Sequence, residues 1–167
     1  MTSPPLPRGA ARALAVAFLI VLVGPASQAS ARVTWKGIGP VRVGMSEAQL
    51  RAKIGAPSTI SEGRTIALEP RREEHVEDYT YRRRKLKVSL FRGRVIGVQT
   101  TSRAHQTPAG VRVGLSMREA RRRVRGEDCG TAAGRVVCSV ERNGIVMDFG
   151  ARGRKVGQIG VGRASLT

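Results

Sequence analysis

The sequence predicts an α+β fold built as a tandem repeat of a short helix plus a three-stranded antiparallel meander, with the helices packed on one sheet face. Val-Arg-Val-Gly-Met-Ser at 41–46 returns as Val-Arg-Val-Gly-Leu-Ser at 111–116, and two related copies in one chain indicate an internal duplication. Each copy precedes a helix-like segment and then runs of alternating apolar and polar residues, which are typical of half-buried strands.

The N-terminus, residues 1–31, is predicted to be a secretory signal peptide. Two arginines precede an unbroken apolar run at 13–23, and small residues follow it. The run is about half of the ~20 residues that a membrane-spanning helix needs, and its flanks are those of a signal peptide. Cleavage is predicted after Ala31 or Ala29, and an uncleaved membrane anchor is the alternative. We therefore expect a secreted or periplasmic protein.

The charge balance indicates which partners the protein attracts. Basic residues outnumber acidic ones by 30 to 12, for a formal net charge of +18. Such a charge attracts polyanions, so anionic envelope polymers, anionic lipid surfaces and acidic faces of envelope or extracellular proteins are the expected partners. Nucleic acid is not expected, because an exported protein seldom meets it.

The first unit is predicted over residues 32–102. Ser46 and Gln49 form an S-x-x-Q capping box, which begins a helix of about nine residues. Gly55 ends this helix, and Pro57 prevents it from resuming.

The rest of the first unit is predicted to be β structure after a loop. Residues 58–74 contain glycine, proline and a mixed charge run, so we expect a solvated loop with one strand at 64–68. Alternating residues predict strands at 78–83, 86–90 and 95–100. Phe-Arg-Gly-Arg before the last of these predicts a tight hairpin turn.

The first strand of this meander carries the candidate protein-binding site. Tyrosine and arginine are frequent anchors of protein interfaces. The predicted protein-binding residues, placed on a strand face and the adjoining turn, are Tyr79, Tyr81, Arg82, Arg83 and Arg84. The alternative is an exposed hairpin with no binding role.

The second unit is predicted over residues 103–167, and it begins within a Ser-, Thr- and Pro-containing linker at 101–110. Ser116 and Glu119 form the matching capping box, and Gly126 is predicted to end the helix. Helical spacing places Arg118, Arg122 and Arg125 on one face. The candidate anion-binding residues are Arg118, Arg121, Arg122 and Arg125.

Three further strands are predicted at 135–140, 144–149 and 155–162, the last with a glycine-induced bulge. Cys129 and Cys138 stand nine positions apart. In an exported protein such a pair predicts a disulfide, here joining the helix end to the first strand. A free or reactive thiol pair is the alternative.

The first motif and the residues after it, Val43-Gly44-Met45-Ser46 through Ile54-Gly55 and Pro57, resemble the entry motif of BamE/SmpA-OmlA-like envelope proteins. Beta-lactamase-inhibitor proteins are similar, since they consist of two such units in tandem. The resemblance implies helices packed on a sheet and a role in binding. It covers residues 41–57 and 111–126 as motif.

No arrangement of residues in the sequence indicates catalysis. His75 and His105 lie outside any nucleophile or metal motif, and phosphate-binding glycine loops are absent from the sequence. We therefore expect a non-enzymatic binding module that uses no cofactor or metal and engages an envelope protein through its sheet face. The alternative is electrostatic adhesion to an anionic polymer or lipid surface through the arginine clusters.

Overall fold

The described part of the chain is mostly β structure. The computed structural model describes residues 32–67, 72–132 and 134–165, with the backbone alone at 63–67 and 72–74. Strands make up 54% of the structure; they form one eight-stranded and one three-stranded antiparallel sheet, and two short helices accompany them in the described residues. The predicted α+β fold of helix-plus-three-strand units is therefore wrong. The predicted signal peptide lies outside the described residues.

A small sheet precedes the first helix. Its strands are β1 Val33–Thr34, β2 Gly37–Ile38 and β3 Val41–Arg42. Val33, Ile38 and Val41 are fully buried, so this sheet contributes directly to the core. Gly37 has φ +148, and a Cβ at this position would lie 2.0 Å from the Val41 carbonyl oxygen. Only glycine allows the two strands to approach this closely.

The first helix, α1, spans Glu47–Ile54 and confirms the predicted capping box. The Ser46 side chain accepts a hydrogen bond from the Gln49 N–H, and the Gln49 side chain accepts one from the Ser46 N–H. Gly55 ends the helix with φ +84, and its N–H donates to the Arg51 carbonyl at 2.8 Å. Leu50 and Ile54 are the buried residues of α1.

The large sheet is continuous, in the order β4-β5-β6-β7-β11-β10-β9-β8. Its strands are β4 Thr59–Ala67, β5 Arg72–Tyr81, β6 Leu86–Phe91, β7 Arg94–Thr100, β8 Asp128–Ala132, β9 Arg135–Arg142, β10 Ile145–Arg152 and β11 Lys155–Arg163. All neighbours are antiparallel, and β7 pairs with β11 from Gly97↔Gly162 to Thr100↔Ile159. This pairing joins the strands that follow α1 to those that follow the second helix.

The predicted loop at 58–74 is instead an edge hairpin. Thr59–Ala67 pairs with Arg72–Tyr81, and Arg72, Glu73 and Glu74 of the charge run lie in β5; Arg71 lies outside the described residues. Ile60 of β4 is 52% exposed, so this apolar side chain does not mark a covered face of the edge strand. The predicted strand at 64–68 overlaps β4 as far as Ala67. The charge run was predicted to be a loop, although charged side chains are common on edge strands.

The second helix, α2, spans Met117–Arg123 and is shorter than predicted. The Ser116 side chain accepts from the Glu119 N–H, as in the first copy, but the Glu119 carboxylate binds Arg122 and Arg123, so the predicted second capping box is only half formed. Val124, not Gly126, follows the last helical residue. Arg125 therefore lies beyond α2, and the prediction that it shares a helix face with Arg118 is wrong.

Both copies of the repeated motif make the same backbone contacts. The Gly44 N–H donates to the Val95 carbonyl at 2.7 Å, and the Gly114 N–H donates to the Val156 carbonyl at 2.8 Å. In both copies the valine N–H donates back to the residue after the glycine at 2.8 Å. Each motif copy therefore fixes the start of its helix against a hairpin of the large sheet.

The core lies between the helices, the small sheet and one face of the large sheet. Its large, almost fully buried side chains include Phe149, Ile38, Leu50, Leu90 and Ile159. Trp35 packs against this core while remaining partly exposed.

Candidate binding surface on the second helix

The two tyrosines predicted to contact a partner are core residues. Tyr79 and Tyr81 are each 3% exposed and lie in the buried cluster with Leu50 and Ile54 of α1. The sequence placed them correctly on one strand face, but that face is covered. Neither ring can contact a partner in this structure, so this part of the predicted protein-binding site is wrong.

Tyr79 binds α1 to the sheet. Its hydroxyl donates to Glu47 Oε1 at 2.9 Å, and the guanidinium carbon of Arg51 lies 5.4 Å from the ring centroid. Arg51 also donates to Glu47 at 2.7 Å. The hydrogen bond from Arg51 is the main reason that the pKa of Glu47 is lowered, while burial raises the pKa of Tyr79.

The three arginines that follow the tyrosines form an exposed turn. Arg82–Arg84 is a single turn of 3-10 helix between β5 and β6, and Lys85 ends it in the left-handed conformation. All three side chains are exposed. The structure therefore separates the predicted site into two buried tyrosines and three solvated arginines.

The arginines around α2 are mostly exposed, and some are paired with glutamate. Arg122 and Arg123 both contact Glu119, the latter at 3.0 Å. Arg121 donates to Glu127 at 3.2 Å. Hydrogen bonds from Arg123 and Arg122 lower the pKa of Glu119.

Arg118 and Arg125 differ from the other arginines of this surface. Both are exposed, and among the described residues neither forms an ion pair. Residues 117–127 contain five arginines and two glutamates, so the surface around α2 keeps a positive charge after its ion pairs are formed. We call Arg118, Arg121, Arg122 and Arg125 the α2 arginine surface.

An open groove of about 480 Å³ adjoins this surface. It is lined by Met117, Arg118, Arg121, Arg122, Glu127, Val136 and Cys138. Val136 is 49% exposed, an unusual exposure for a large apolar side chain in this protein. The sequence indicates the arginines of this groove, but not Met117, Val136 and Glu127, because their proximity depends on how β9 packs beside α2.

The groove arises because the sheet residue that faces α2 is smaller than the corresponding residue that faces α1. In the large sheet, Tyr79 lies opposite Val88, and Val88 lies opposite Val98 on the next strand. In the same way, Cys138 lies opposite Phe149, and Phe149 lies opposite Ile159. Val98 and Ile159 each lie three residues after the valine that binds a motif copy. Cys138 thus occupies the position of Tyr79, and its smaller side chain leaves space beside the helix.

The helices show a matching difference in size. Leu50 lies four residues after the cap of α1, and Ala120 lies four residues after the cap of α2. Both are buried, at 0% and 2% exposure. Because alanine is smaller than leucine, α2 fills less of the space above the sheet than α1 does.

The predicted disulfide is present. Cys129 and Cys138 are bonded, and they lie directly opposite each other on β8 and β9. The bond therefore joins two neighbouring strands, not a helix end and a strand as expected. Closing so short a loop stabilises the fold by roughly 2–3 kcal/mol in the chain-entropy model, and the bond fixes Cys138 in the floor of the groove. Structural disulfides persist in oxidising compartments.

A second basic hollow lies near the glycine of the second motif copy. It has a volume of about 360 Å³, and its lining includes Arg103, Arg112, Ser116 and Lys155. A Cβ added at Gly114 would lie 3.4 Å from Arg103 Nε. These cations are distant in sequence, so no local pattern could have indicated their proximity.

The described residues contain no group of three or more His, Cys, Asp or Glu side chains that could hold a metal ion. His105 is buried, and its Nδ1 lies 2.9 Å from Thr100 Oγ1. Burial lowers the pKa of His105, while His75 is exposed on β5. The two histidines lie on different parts of the fold and share no site.

Comparison with known proteins gives structural neighbours but no family. No protein-family model and no curated protein matches the sequence. The structure is similar to the uncharacterised protein yfeY of Escherichia coli, with a TM-score of 0.51, 15% identity, and coverage of 79% of this chain and 99% of that chain. It is also similar to an extracellular protein of Bacillus anthracis that contains an SCP domain, with a TM-score of 0.51, 11% identity, and coverage of 72% of this chain.

These likenesses concern the fold alone. The chain spans only 44% of the Bacillus anthracis protein, and neither comparison identifies a ligand. Among the residues that the structure describes, no helix has both the length and the apolar character needed to cross a membrane.

Proposed function

We propose that the protein is an exported, non-enzymatic binding protein that attaches to an anionic polymer or lipid surface of the cell envelope through the α2 arginine surface. The observation that carries this proposal is the exposed Arg118, which has no ion pair among the described residues and lines one groove with Arg121 and Arg122. Arg125, exposed just beyond the end of α2, adds a further positive charge. Guanidinium groups match the geometry of phosphate and carboxylate oxygens.

Export is part of the proposal. Its support is the disulfide Cys129–Cys138, together with the sequence features of a signal peptide at 1–31 and predicted cleavage after Ala31 or Ala29. The extracellular description of the Bacillus anthracis neighbour agrees with this location.

A protein partner in the envelope is the second candidate. It is favoured by the exposed turn Arg82–Arg84, because arginine is enriched at protein interfaces. Tyr79 and Tyr81 do not support a protein-binding role, because their rings are buried. The resemblance to BamE-like and beta-lactamase-inhibitor proteins stays a prediction.

Binding to anionic vesicles is expected to depend steeply on salt. We expect the protein to sediment with phosphatidylglycerol vesicles at low ionic strength and to lose at least about tenfold in affinity between roughly 0.05 and 0.3 M NaCl, because salt screens exposed charges. Cosedimentation measures this, with phosphatidylcholine vesicles as the uncharged control and soluble polyphosphate as the polymer arm. Equal binding to both vesicle types, or binding that salt leaves unchanged, would contradict the proposal.

A further inference from the structure

We infer that the groove between α2 and β9 binds an anionic amphiphile: a single acyl chain on the groove floor, with its carboxylate or phosphate headgroup at the arginine rim. The inference rests on the proposed anion-binding role of the α2 arginine surface and adds the class of ligand. A volume of about 480 Å³ falls within the ~300–1,000 Å³ typical of small-molecule sites.

The groove floor is suited to an acyl chain. Met117, Val136 and the disulfide-bonded Cys138 contribute it. Val136 is 49% exposed and Met117 is partly exposed, whereas Cys138 is 2% exposed and only closes the floor from below. Covering these surfaces with a hydrocarbon chain removes apolar area from water, which favours binding.

The groove rim is suited to one anionic headgroup. Arg121 and Arg122 are each oriented by a glutamate, Glu127 and Glu119 respectively. Arg118 lines the same groove and has no ion pair in the described chain. A carboxylate or phosphate next to Arg118 could accept two parallel hydrogen bonds from the Arg118 guanidinium, which is the strong bidentate geometry.

An acidic peptide fits this groove less well than an acyl chain. The floor side chains offer no strong hydrogen-bond partner for a peptide backbone, and buried amide groups without partners are costly. Glu127 in the groove wall would also repel the additional carboxylates of an acidic peptide. A single-headed amphiphile avoids both penalties.

Titration calorimetry with dodecanoate tests the inference in the intact protein. Acetate supplies the headgroup without the chain, dodecyl maltoside supplies the chain without the charge, and polyglutamate stands for an acidic peptide. We expect dodecanoate to bind at least about tenfold more tightly than each of the other three.

Two matched pairs of variants locate the site. Val136→Ser should weaken dodecanoate binding about tenfold through lost apolar contact, whereas Ile60→Ser, at the similarly exposed Ile60 on β4, should change it less than about twofold. Arg118→Ala should weaken it about tenfold, and Arg92→Ala, at an exposed arginine in the turn between β6 and β7, should leave it unchanged. Thermal unfolding of each variant verifies that the fold is retained.

The outcomes separate the two proposals. If acetate binds as tightly as dodecanoate, or Val136→Ser has no effect, the groove is not an acyl site and the inference is overturned, while salt-dependent vesicle binding would leave the proposed function standing. Tighter binding of polyglutamate would likewise overturn it in favour of an acidic protein segment. If dodecanoate, anionic vesicles and polyphosphate all fail to bind, both proposals fail.

Discussion

Replacing Tyr79 by alanine is expected to lower the free energy of unfolding by about 3–5 kcal/mol, the usual cost of truncating a buried aromatic ring. The ring is 3% exposed, and it fills the space between the sheet and α1, where its hydroxyl reaches Glu47 at 2.9 Å. Urea unfolding followed by circular dichroism measures the loss.

Two phenylalanine variants separate the ring from its hydroxyl. Tyr79→Phe keeps the ring and should cost about 1 kcal/mol, the value of one hydrogen bond. Tyr81→Phe should cost nothing measurable, since the Tyr81 hydroxyl is buried without a hydrogen-bond partner among the described residues. If Tyr79→Ala were as stable as the wild type, the ring would not be the core residue that the structure shows.

Asp148 is expected to make the protein less stable as the pH rises from about 4 to about 7. Burial raises its pKa from 3.8 to about 6. The carboxylate lies over β11, where a Cβ on Gly160 would be 2.2 Å from Asp148 Oδ2, so the neighbouring strand excludes water from one side of it. Ionising the carboxylate in this position disfavours the folded state.

The sign of the effect follows from proton binding. Between about 4 and 6, the folded chain holds a proton that the unfolded chain releases, so the free energy of unfolding falls as the pH rises and levels off above about 7. About two pKa units correspond to about 3 kcal/mol. Glu47 and Glu119, whose pKa values are lowered, act in the opposite direction.

Asp148→Asn isolates this contribution. We expect the variant to be more stable than the wild type at pH 8, by up to about 3 kcal/mol, and to approach it in stability at pH 4. Asp128→Asn is the matched control, because Asp128 is exposed and faces the same Ser139 from the other side. A difference between Asp148→Asn and wild type that does not change with pH would refute the burial of this carboxylate.

Local structure was predictable where one short stretch determines it. The capping box at Ser46 and Gln49, the helix end at Gly55 and the disulfide were all predicted from spacing and are present. The edge hairpin was predicted only in part, because the strands expected at 64–68 and 78–83 overlap β4 and β5 but the charge run was expected to be a loop. Because part of this hairpin and the short β8 were missed, the sequence predicted an α+β repeat where the structure has one continuous antiparallel sheet.

The candidate site was predictable only in part for a similar reason. Alternation correctly placed Tyr79 and Tyr81 on one strand face, but it could not tell which face α1 covers. The α2 arginines were found because they are adjacent in sequence. Val136 was missed because its position beside α2 depends on the pairing of β9 with β10, which no local pattern specifies.

The central claim is that the arginines around α2, not the high charge in general, attach the protein to an anionic surface. Two variants that each remove four positive charges test this: one replaces Arg118, Arg121, Arg122 and Arg125 by glutamine, and the other replaces Arg82, Arg83, Arg84 and Arg92. All eight arginines are exposed, so both variants should fold.

The measurement is the affinity of each variant for phosphatidylglycerol vesicles at one low salt concentration. Each arginine near an anionic surface contributes about 1 kcal/mol, so the α2 variant should bind at least about a hundredfold more weakly than wild type. The other variant should lose no more than a few-fold. Equal losses in both variants would show that net charge alone governs attachment and would contradict the account.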